Sequence, residues 1–222
     1  MLYTEIRTLL IKEFLLEWRQ KYALNGMLLY LASTILVCYM SFNLRPNQLN
    51  AITWNALFWI ILLFTAVNAV AKSFLQERYG RLFYYYTLVS PQAVILSKMI
   101  YNLALMLLLA FLGYLCYALV LGNPVQDKLY FTFSILLGAT GFSIIFTMIS
   151  GIASKANNSN MLMAVLGFPV IIPVMLMVLQ ISKNAIDGLD RSVSTDEIMI
   201  LTAINVMIAT VAYILFPYLW RS

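Results

Sequence analysis

The chain has 222 residues, of which 63% are hydrophobic and only 10% are charged, and its net charge is +5. Soluble domains carry roughly a quarter charged residues, so this composition excludes an ordinary soluble protein and indicates a membrane protein. The sequence contains no histidine, which is the commonest zinc ligand, haem ligand and general base. A metal-dependent membrane hydrolase is therefore not expected.

The N-terminal residues predict an amphipathic helix over residues 3–20. Its apolar side recurs every four positions and comprises Ile6, Leu10, Phe14 and Trp18. The polar residues that we expect to lie away from that side are Glu5, Thr8, Lys12 and Arg19. Charge occurs throughout this stretch, unlike in a cleavable signal peptide. We expect the helix to lie in the membrane surface, with Trp18 at the headgroup level. Packing against another soluble protein is the alternative.

Six apolar runs follow, each long enough to cross a hydrocarbon core about 30 Å thick. They cover residues 23–44, 52–71, 99–121, 129–153, 161–181 and 198–219. The polar pieces between them are short and leave no room for a separate soluble domain. The sequence therefore predicts an all-α membrane protein in which residues 1–222 form a single transmembrane domain.

Basic residues are distributed unequally between the two faces of the membrane. With an even number of spans both termini share a face, and 10 of the 14 Lys and Arg residues fall on it. The other four are Arg45, Lys128, Lys183 and Arg191. The positive-inside rule then places both termini in the cytoplasm, where we expect this charge to contact anionic lipids and not nucleic acid.

Several functional classes are disfavoured by what the sequence lacks. No Asp, Glu, Lys or Arg lies in the middle of a predicted span, although ion-coupled transporters usually carry such a group there. The P-loop pattern G-x-x-x-x-G-K-[ST] is also missing from the sequence, so ATP is not expected to bind through one. Cys38 and Cys116 form no C-x-x-C pair, and a small apolar packing role is favoured over a redox or disulfide role.

Polar residues inside the predicted spans are amides and hydroxyls. They are Asn25, Asn55, Thr65, Asn68, Asn102 and Asn205. In hydrocarbon such groups most often bridge helices, and a place on a substrate path is the alternative. The fourth span is rich in small residues, which let neighbouring backbones approach closely. These are Gly138, Ala139, Gly141, Ser143 and Gly151.

The fifth span, "MLMAVLGFPVIIPVMLMVL", places Gly167, Pro169 and Pro173 near its middle. The two prolines remove two backbone donors from one face, so we expect the helix to kink or open there. Such a kink serves either as a hinge for motion or as a packing shape.

The connection between the second and third spans contains "ERYGRLFYYYTLVSP", residues 77–91. Gly80 permits a helix break or tight turn, and Ser90-Pro91 predicts a helix start with the Ser90 hydroxyl as its cap. The stretch "RLFYYYTLV" is too short to span the membrane and too aromatic for a plain solvated loop. Aromatic residues interleaved with arginine are typical of protein interfaces. A tyrosine belt at the membrane interface is an alternative that is compatible with this role.

These features together resemble a known family. The second span running into "FLQERYGRLFYYYTLVSPQAVILSK", the third span, and the later "LGFPVIIPVMLM" look like the CcmB family. That family is the haem exporter protein B of cytochrome c maturation, an ABC-type permease. The chain is also similar over essentially its whole length to the wider ABC-2 exporter permeases. It departs from their common Gly-Thr-Leu-Glu pattern, because Gly80 is followed by Arg81, Leu82 and Phe83.

The resemblance implies a coupling segment over residues 77–89 that inserts into a groove of a cytoplasmic ATPase. The implied interface residues are Glu77, Arg78, Tyr79, Gly80, Arg81, Phe83, Tyr84 and Tyr85. The implied partners are a CcmA-like ATPase, CcmC-like and CcmD-like membrane subunits and a CcmE-like haem chaperone, in the bacterial inner membrane. Haem and ATP are then expected on those partners, and no catalytic, metal or cofactor residue is expected in this chain.

Two other functions stay open at this point. One is an ABC-2 permease that exports a lipid, drug or polysaccharide through a path formed by the spans. The other is a non-transporting scaffold that only anchors partners. The polar stretch "SKNAIDGLDRSVSTDE", between the fifth and sixth spans, either meets the chaperone or is merely solvated.

Overall fold

The computed structural model describes residues 2–20, 22–43, 49–70, 73–74, 89–154 and 159–221. Within these ranges the chain is almost entirely helical and contains no strand. The α-helices are α1 (Leu2–Gln20), α2 (Tyr22–Asn43), α3 (Ala51–Val70), α4 (Pro91–Leu121), α5 (Lys128–Ala153), α6 (Ser159–Asp187) and α7 (Thr195–Arg221). A 3-10 turn over Arg191–Ser194 precedes α7.

Six of the described helices, α2 to α7, are long and apolar enough to cross a membrane. This confirms the predicted all-α fold with an additional helix at the N-terminus. The starts of α2, α3 and α5 lie within one residue of the predicted ones. Helix α4 begins at Pro91, as the Ser90-Pro91 pair predicts, which is eight residues before the predicted apolar run. Helices α6 and α7 extend beyond both ends of their predicted runs. The reason is that hydropathy locates only the apolar part of a helix, whereas these helices continue through polar turns.

Helices α2 to α7 alternate in direction, and the start of α1 and the end of α7 lie at one end of the bundle. At that end Leu9 of α1, Val94 of α4 and Phe216 of α7 share a buried apolar cluster. The ring centroid of Phe74 lies 5.3 Å from that of Phe216. At the opposite end the loop after α4 meets the end of α6, where the Asp127 N–H donates to the Ala185 carbonyl at 3.0 Å.

The central helix of the bundle is α5, which contacts α3, α4, α6 and α7. In the apolar stretch of α5, 67% of the residues are buried, whereas in that of α2 only 17% are buried. A Cβ added at Gly138 would lie 2.5 Å from the Trp59 ring, and one at Gly141 would lie 2.7 Å from Asn205 Oδ1. These approaches confirm that small residues in this helix allow its neighbours to pack closely.

An aromatic cluster holds the opposite end of the bundle together. The Trp54 ring centroid lies 4.8 Å from that of Tyr117 and 5.7 Å from that of Phe131. Trp54 Nε1 donates to the Gly122 carbonyl and the Tyr117 hydroxyl donates to the Trp54 carbonyl, each at 3.0 Å. The polar tips of these buried rings are thereby satisfied. We did not predict this cluster, because its members come from three different helices.

Amide side chains bridge helices, as predicted, at three of the six polar positions. Asn102 Nδ2 donates to Thr147 Oγ1 at 2.9 Å. The other two bridges, each 3.2 Å long, run from Asn55 to the Leu179 carbonyl and from Asn205 to the Leu137 carbonyl. The remaining side chains do not form such bridges: Thr65 and Asn68 donate within their own helix, and Asn25 is exposed.

The two cysteines are free thiols. Cys38 is half-buried and packs against the main apolar core, in agreement with the predicted packing role. Cys116 is exposed on the outer surface of the bundle, so packing inside the bundle does not explain that position.

Candidate functional site: a polar junction at one end of the bundle

The predicted ATPase contact falls outside the described residues. This applies to Glu77, Arg78, Tyr79, Gly80, Arg81, Phe83, Tyr84 and Tyr85. Its two flanks, residues 73–74 and 89–90, are described, and polar contacts hold both of them to the helix bundle. We call the residues that make these contacts, together with their neighbours on α1 and α4, the junction. It consists of Glu5, Glu13, Glu17, Ser73, Phe74, Ser90, Lys98, Tyr101, Asn102, Thr147 and Ser150.

The flank after the segment is held by a carboxylate from α1. Ser90 has extended backbone angles (φ −70°, ψ 139°) and precedes Pro91, the first residue of α4, as predicted. Its hydroxyl, however, does not cap the helix. The hydroxyl donates to Glu5 Oε2 at 2.6 Å, and the Ser90 N–H donates to the same oxygen at 3.1 Å. The predicted capping role of this hydroxyl is therefore wrong, because Glu5 supplies an anionic acceptor at the helix N-terminus, where negative charge is favoured.

These hydrogen bonds affect the acidity of Glu5. The bond from the Ser90 hydroxyl, and then the bond from the Ser90 N–H, hold the pKa of the Glu5 carboxyl below its ordinary value. The ionised form is favoured because both groups donate to it. Glu5 is thus a carboxylate acceptor at neutral pH.

The flank before the segment is held by α4. Lys98 Nζ donates to the Ser73 carbonyl at 2.9 Å and pairs with Glu13 Oε1 at 3.1 Å. One turn further along α4, Asn102 Nδ2 donates to Ser73 Oγ at 3.1 Å. The Lys98 residue is only 4% exposed, and a buried ammonium group is tolerated when it is paired and hydrogen-bonded.

The central helix α5 also contributes to the junction. The Phe74 N–H donates to Ser150 Oγ at 3.2 Å, and Thr147 Oγ1 accepts from Asn102 Nδ2. Ser73 and Phe74, which follow α3 in the chain, are therefore held by side chains of both α4 and α5.

Helix α1 runs parallel to the first part of α4. Glu5 meets Ser90 and Glu13 meets Lys98, and both pairs are 85 residues apart in sequence. Glu17 Oε2 accepts from the Tyr101 hydroxyl at 3.2 Å, a separation of 84 residues. This constant offset aligns the two helices over about three turns. Three carboxylates of α1 thus meet donors on or next to α4.

The packed face of α1 agrees in part with the predicted one, because Ile6 and Leu10 are half-buried and pack against the buried apolar clusters. Phe14 is 54% exposed, but its ring centroid lies 5.4 Å from that of Tyr101 on α4. The face is centred on Leu9, which is 8% exposed. It also includes the half-buried Glu5, which we expected on the polar side. The physical reason for this difference is that Ser90, next to α4, offers donors to the Glu5 carboxylate. The side chain of Trp18 lies outside the described residues.

Glu17 also connects α1 to the next helix. Its Oε1 accepts from the Leu24 N–H at 3.0 Å, in the first turn of α2. The first N–H groups of a helix have no partner within the helix, so this contact satisfies one of them and links α1 to the start of α2.

The predicted hinge residues lie in α6, which is continuous from Ser159 to Asp187 with Pro169 and Pro173 inside it. Both prolines are exposed on the outer surface, whereas Gly167 is buried. A Cβ at Gly167 would lie 3.7 Å from Ile149, which is an ordinary contact distance. Motion at these positions stays a prediction.

Comparison with known proteins finds one family model that matches nearly the whole chain. A family model described as "CcmB protein" matches residues 4–218. The match includes the junction and all six membrane-length helices. No curated protein sequence matches this chain.

Proposed function

This chain belongs to the CcmB family, the membrane permease component of the haem exporter for cytochrome c maturation, and we propose that it couples ATP hydrolysis by a partner ATPase to haem delivery or to release of the haem-loaded chaperone. The permease itself is not an enzyme. The alternative of an ABC-2 permease for a lipid, drug or polysaccharide is not favoured by this family match.

The proposed contact with the CcmA-like ATPase is the coupling segment, residues 77–89. Its interface residues are Glu77, Arg78, Tyr79, Gly80, Arg81, Phe83, Tyr84 and Tyr85. The observation that carries the proposal is that both flanks of this segment are held by the bundle: Lys98 holds Ser73 and Glu5 holds Ser90. A displacement of the segment is then passed on to α1, α4 and α5.

The proposed motion follows from these connections. Closure of the ATPase pair pulls on the segment and tilts α3 and α4, while Pro169 and Pro173 of α6 absorb part of the change. The two prolines remove backbone hydrogen bonds from α6, which lowers the cost of bending it there.

The proposed surroundings are the bacterial inner membrane, with residues 1–222 as one transmembrane permease domain and both termini in the cytoplasm. The excess of Lys and Arg on the face of the termini supports this orientation. CcmC-like and CcmD-like membrane subunits and a CcmE-like chaperone complete the proposed assembly. We assign haem and ATP to these partners, since the chain has neither histidine nor a P-loop pattern.

Cross-linking tests the proposed contact. Cys38 and Cys116 are first replaced by alanine, and Arg81→Cys or Tyr84→Cys is then introduced in the segment. We expect each to cross-link to the ATPase in the assembled complex. The matched control is Leu189→Cys, at an exposed position at the opposite end of the bundle, which should give no cross-link. Persistent absence of a cross-link at both segment positions in an assembled complex contradicts the proposed contact.

A further inference from the structure

Helix α1 reaches both flanks of the coupling segment at once. Glu5 binds Ser90 directly, and Glu13 binds Lys98, which in turn holds the Ser73 carbonyl. Between the two contacts α1 and α4 each advance by eight residues, or about 12 Å along a helix axis. The helix therefore fixes the two flanks, at Ser73 and Ser90, relative to each other as well as to the bundle.

We propose that Glu13 and Lys98 are positioning residues of the exporter, which hold Ser73, in the flank before the coupling segment, against α4 so that a displacement of the segment reaches the bundle. This inference rests on the proposed function. Neither residue is required to touch the ATPase or haem. They act through Ser73, because Lys98 donates a hydrogen bond to the Ser73 carbonyl.

The geometry around Lys98 suits this role. The Lys98 side chain is 5% exposed and that of Glu13 is 11% exposed, so solvent screens the pair weakly. Lys98 Nζ also lies 5.6 Å from the centroid of the Phe74 ring, where a cation is attracted to the ring. One ammonium group thus contacts α1 and both described residues of the flank, Ser73 and Phe74.

A stabilising role and a positioning role predict different results. Replacing a buried ion pair by apolar residues of similar volume is often neutral or favourable for stability. The double variant Glu13→Leu with Lys98→Met removes both charges of this pair together. Glu13 Oε1 also pairs with Lys12 Nζ at 2.7 Å, but the Lys12 side chain is 28% exposed, so its ammonium group stays hydrated in the variant. The double variant also removes the donor to the Ser73 carbonyl. If the pair only stabilises the fold, this variant should still function. If the pair positions the segment, it should assemble and yet fail.

The experiment compares this double variant with Lys98→Arg, which keeps the charge and the donor groups. The control is Lys183→Met, which removes an exposed lysine at the opposite end of the bundle. Each variant replaces the wild-type chain in cells that make c-type cytochromes. We measure the chain in membranes, the ATPase purified with it, ATP hydrolysis by the complex, and covalent haem on c-type cytochromes.

The double variant should retain the chain level, the bound ATPase and hydrolysis while covalent haem falls about tenfold, within the range of coupling between two sites. Lys98→Arg and the control should retain most covalent haem. Wild-type haem in the double variant overturns the positioning role. The proposed function has its own test, because a hydrolysis-deficient ATPase should abolish covalent haem with the wild-type chain. Normal haem there overturns the proposed function.

If the double variant does not accumulate, Glu13→Gln decides the question. It keeps the shape and an oxygen acceptor for Lys98 but removes the negative charge. We expect a partial loss of covalent haem at an unchanged chain level. Wild-type haem in this variant overturns the positioning role.

Discussion

At Glu5 a single carboxylate oxygen accepts from both the hydroxyl and the N–H of Ser90. These bonds lower the pKa of Glu5 relative to its ordinary value of 4.5. Stability from this contact is therefore fully present above that unfolded-state value, and it is lost as the pH falls through the lower folded-state value. The contact between α1 and α4 thus depends on an ionised Glu5.

Glu5→Gln tests this dependence. The variant should lower the Tm of the detergent-solubilised protein at about pH 7, and this loss should shrink as the pH falls below 4.5 and the wild-type carboxyl takes up a proton. Thermal unfolding over this pH range provides the measurement. An equal loss of Tm at every pH would show that ionisation of Glu5 is not what matters.

Gly138 tests how closely the central helix is packed. A Cβ at this position would lie 2.5 Å from the fully buried Trp59 ring, whereas one at Gly26 meets nothing within 4 Å. Overpacking costs about 1–3 kcal/mol, so Gly138→Ala should lower the Tm and Gly26→Ala should not. Similar Tm values for the two variants would contradict the packing around α5.

At the scale of the helices, the sequence predicts the spans well and their contacts poorly. Long apolar runs indicate α2 to α7 because membrane thickness fixes the length they need. The packed face of α1 was predicted only in part. Ile6 and Leu10 pack as expected, but apolar periodicity locates the whole packed face only when water surrounds the helix. In a membrane protein Ile11 and Leu15 can face outward while Glu13 turns inward to Lys98.

The prolines of α6 provide a test at the same scale. Pro169→Ala with Pro173→Ala restores two backbone N–H groups to a continuous helix and should raise the Tm. If α6 bends there during each cycle, covalent haem on c-type cytochromes should fall although the chain accumulates normally. The control is Leu176→Ala, at an exposed position of the same helix outside the predicted hinge. Unchanged haem in the proline variant would leave the prolines as determinants of shape and exclude the hinge.

At the scale of the whole molecule, the sequence predicts the coupling segment of the candidate site but does not predict the junction. The composition of residues 77–89 indicates an interface, because aromatic residues are interleaved with arginine in a short connection. The junction that holds the flanks of this segment could not be predicted from local composition. Glu5 and Ser90 are 85 residues apart, and no local pattern signals that the carboxylates of α1 would meet the flanks of the segment. Their pairing follows from the parallel packing of α1 and α4.

The assignment of haem to partner subunits makes a prediction for the isolated protein. Without histidine, the chain could ligate haem iron only through Met, Cys or Tyr. We expect the purified chain to contain no stoichiometric haem by absorption spectroscopy, whereas the complete complex should contain it. A stoichiometric haem spectrum from the chain alone, with axial ligands other than histidine, would contradict this assignment.

Covalent haem on c-type cytochromes tests the transmission of force through the coupling segment most directly. The gene is deleted in an organism with no second maturation system, and the strain is complemented either with the wild-type chain or with a chain in which residues 77–88 are replaced by glycine and serine at equal length. We expect wild-type complementation to restore covalent haem. The replaced chain should accumulate in the membrane without restoring it, while b-type haem persists in both strains. Normal c-type cytochromes with the replaced chain would contradict the proposed mechanism.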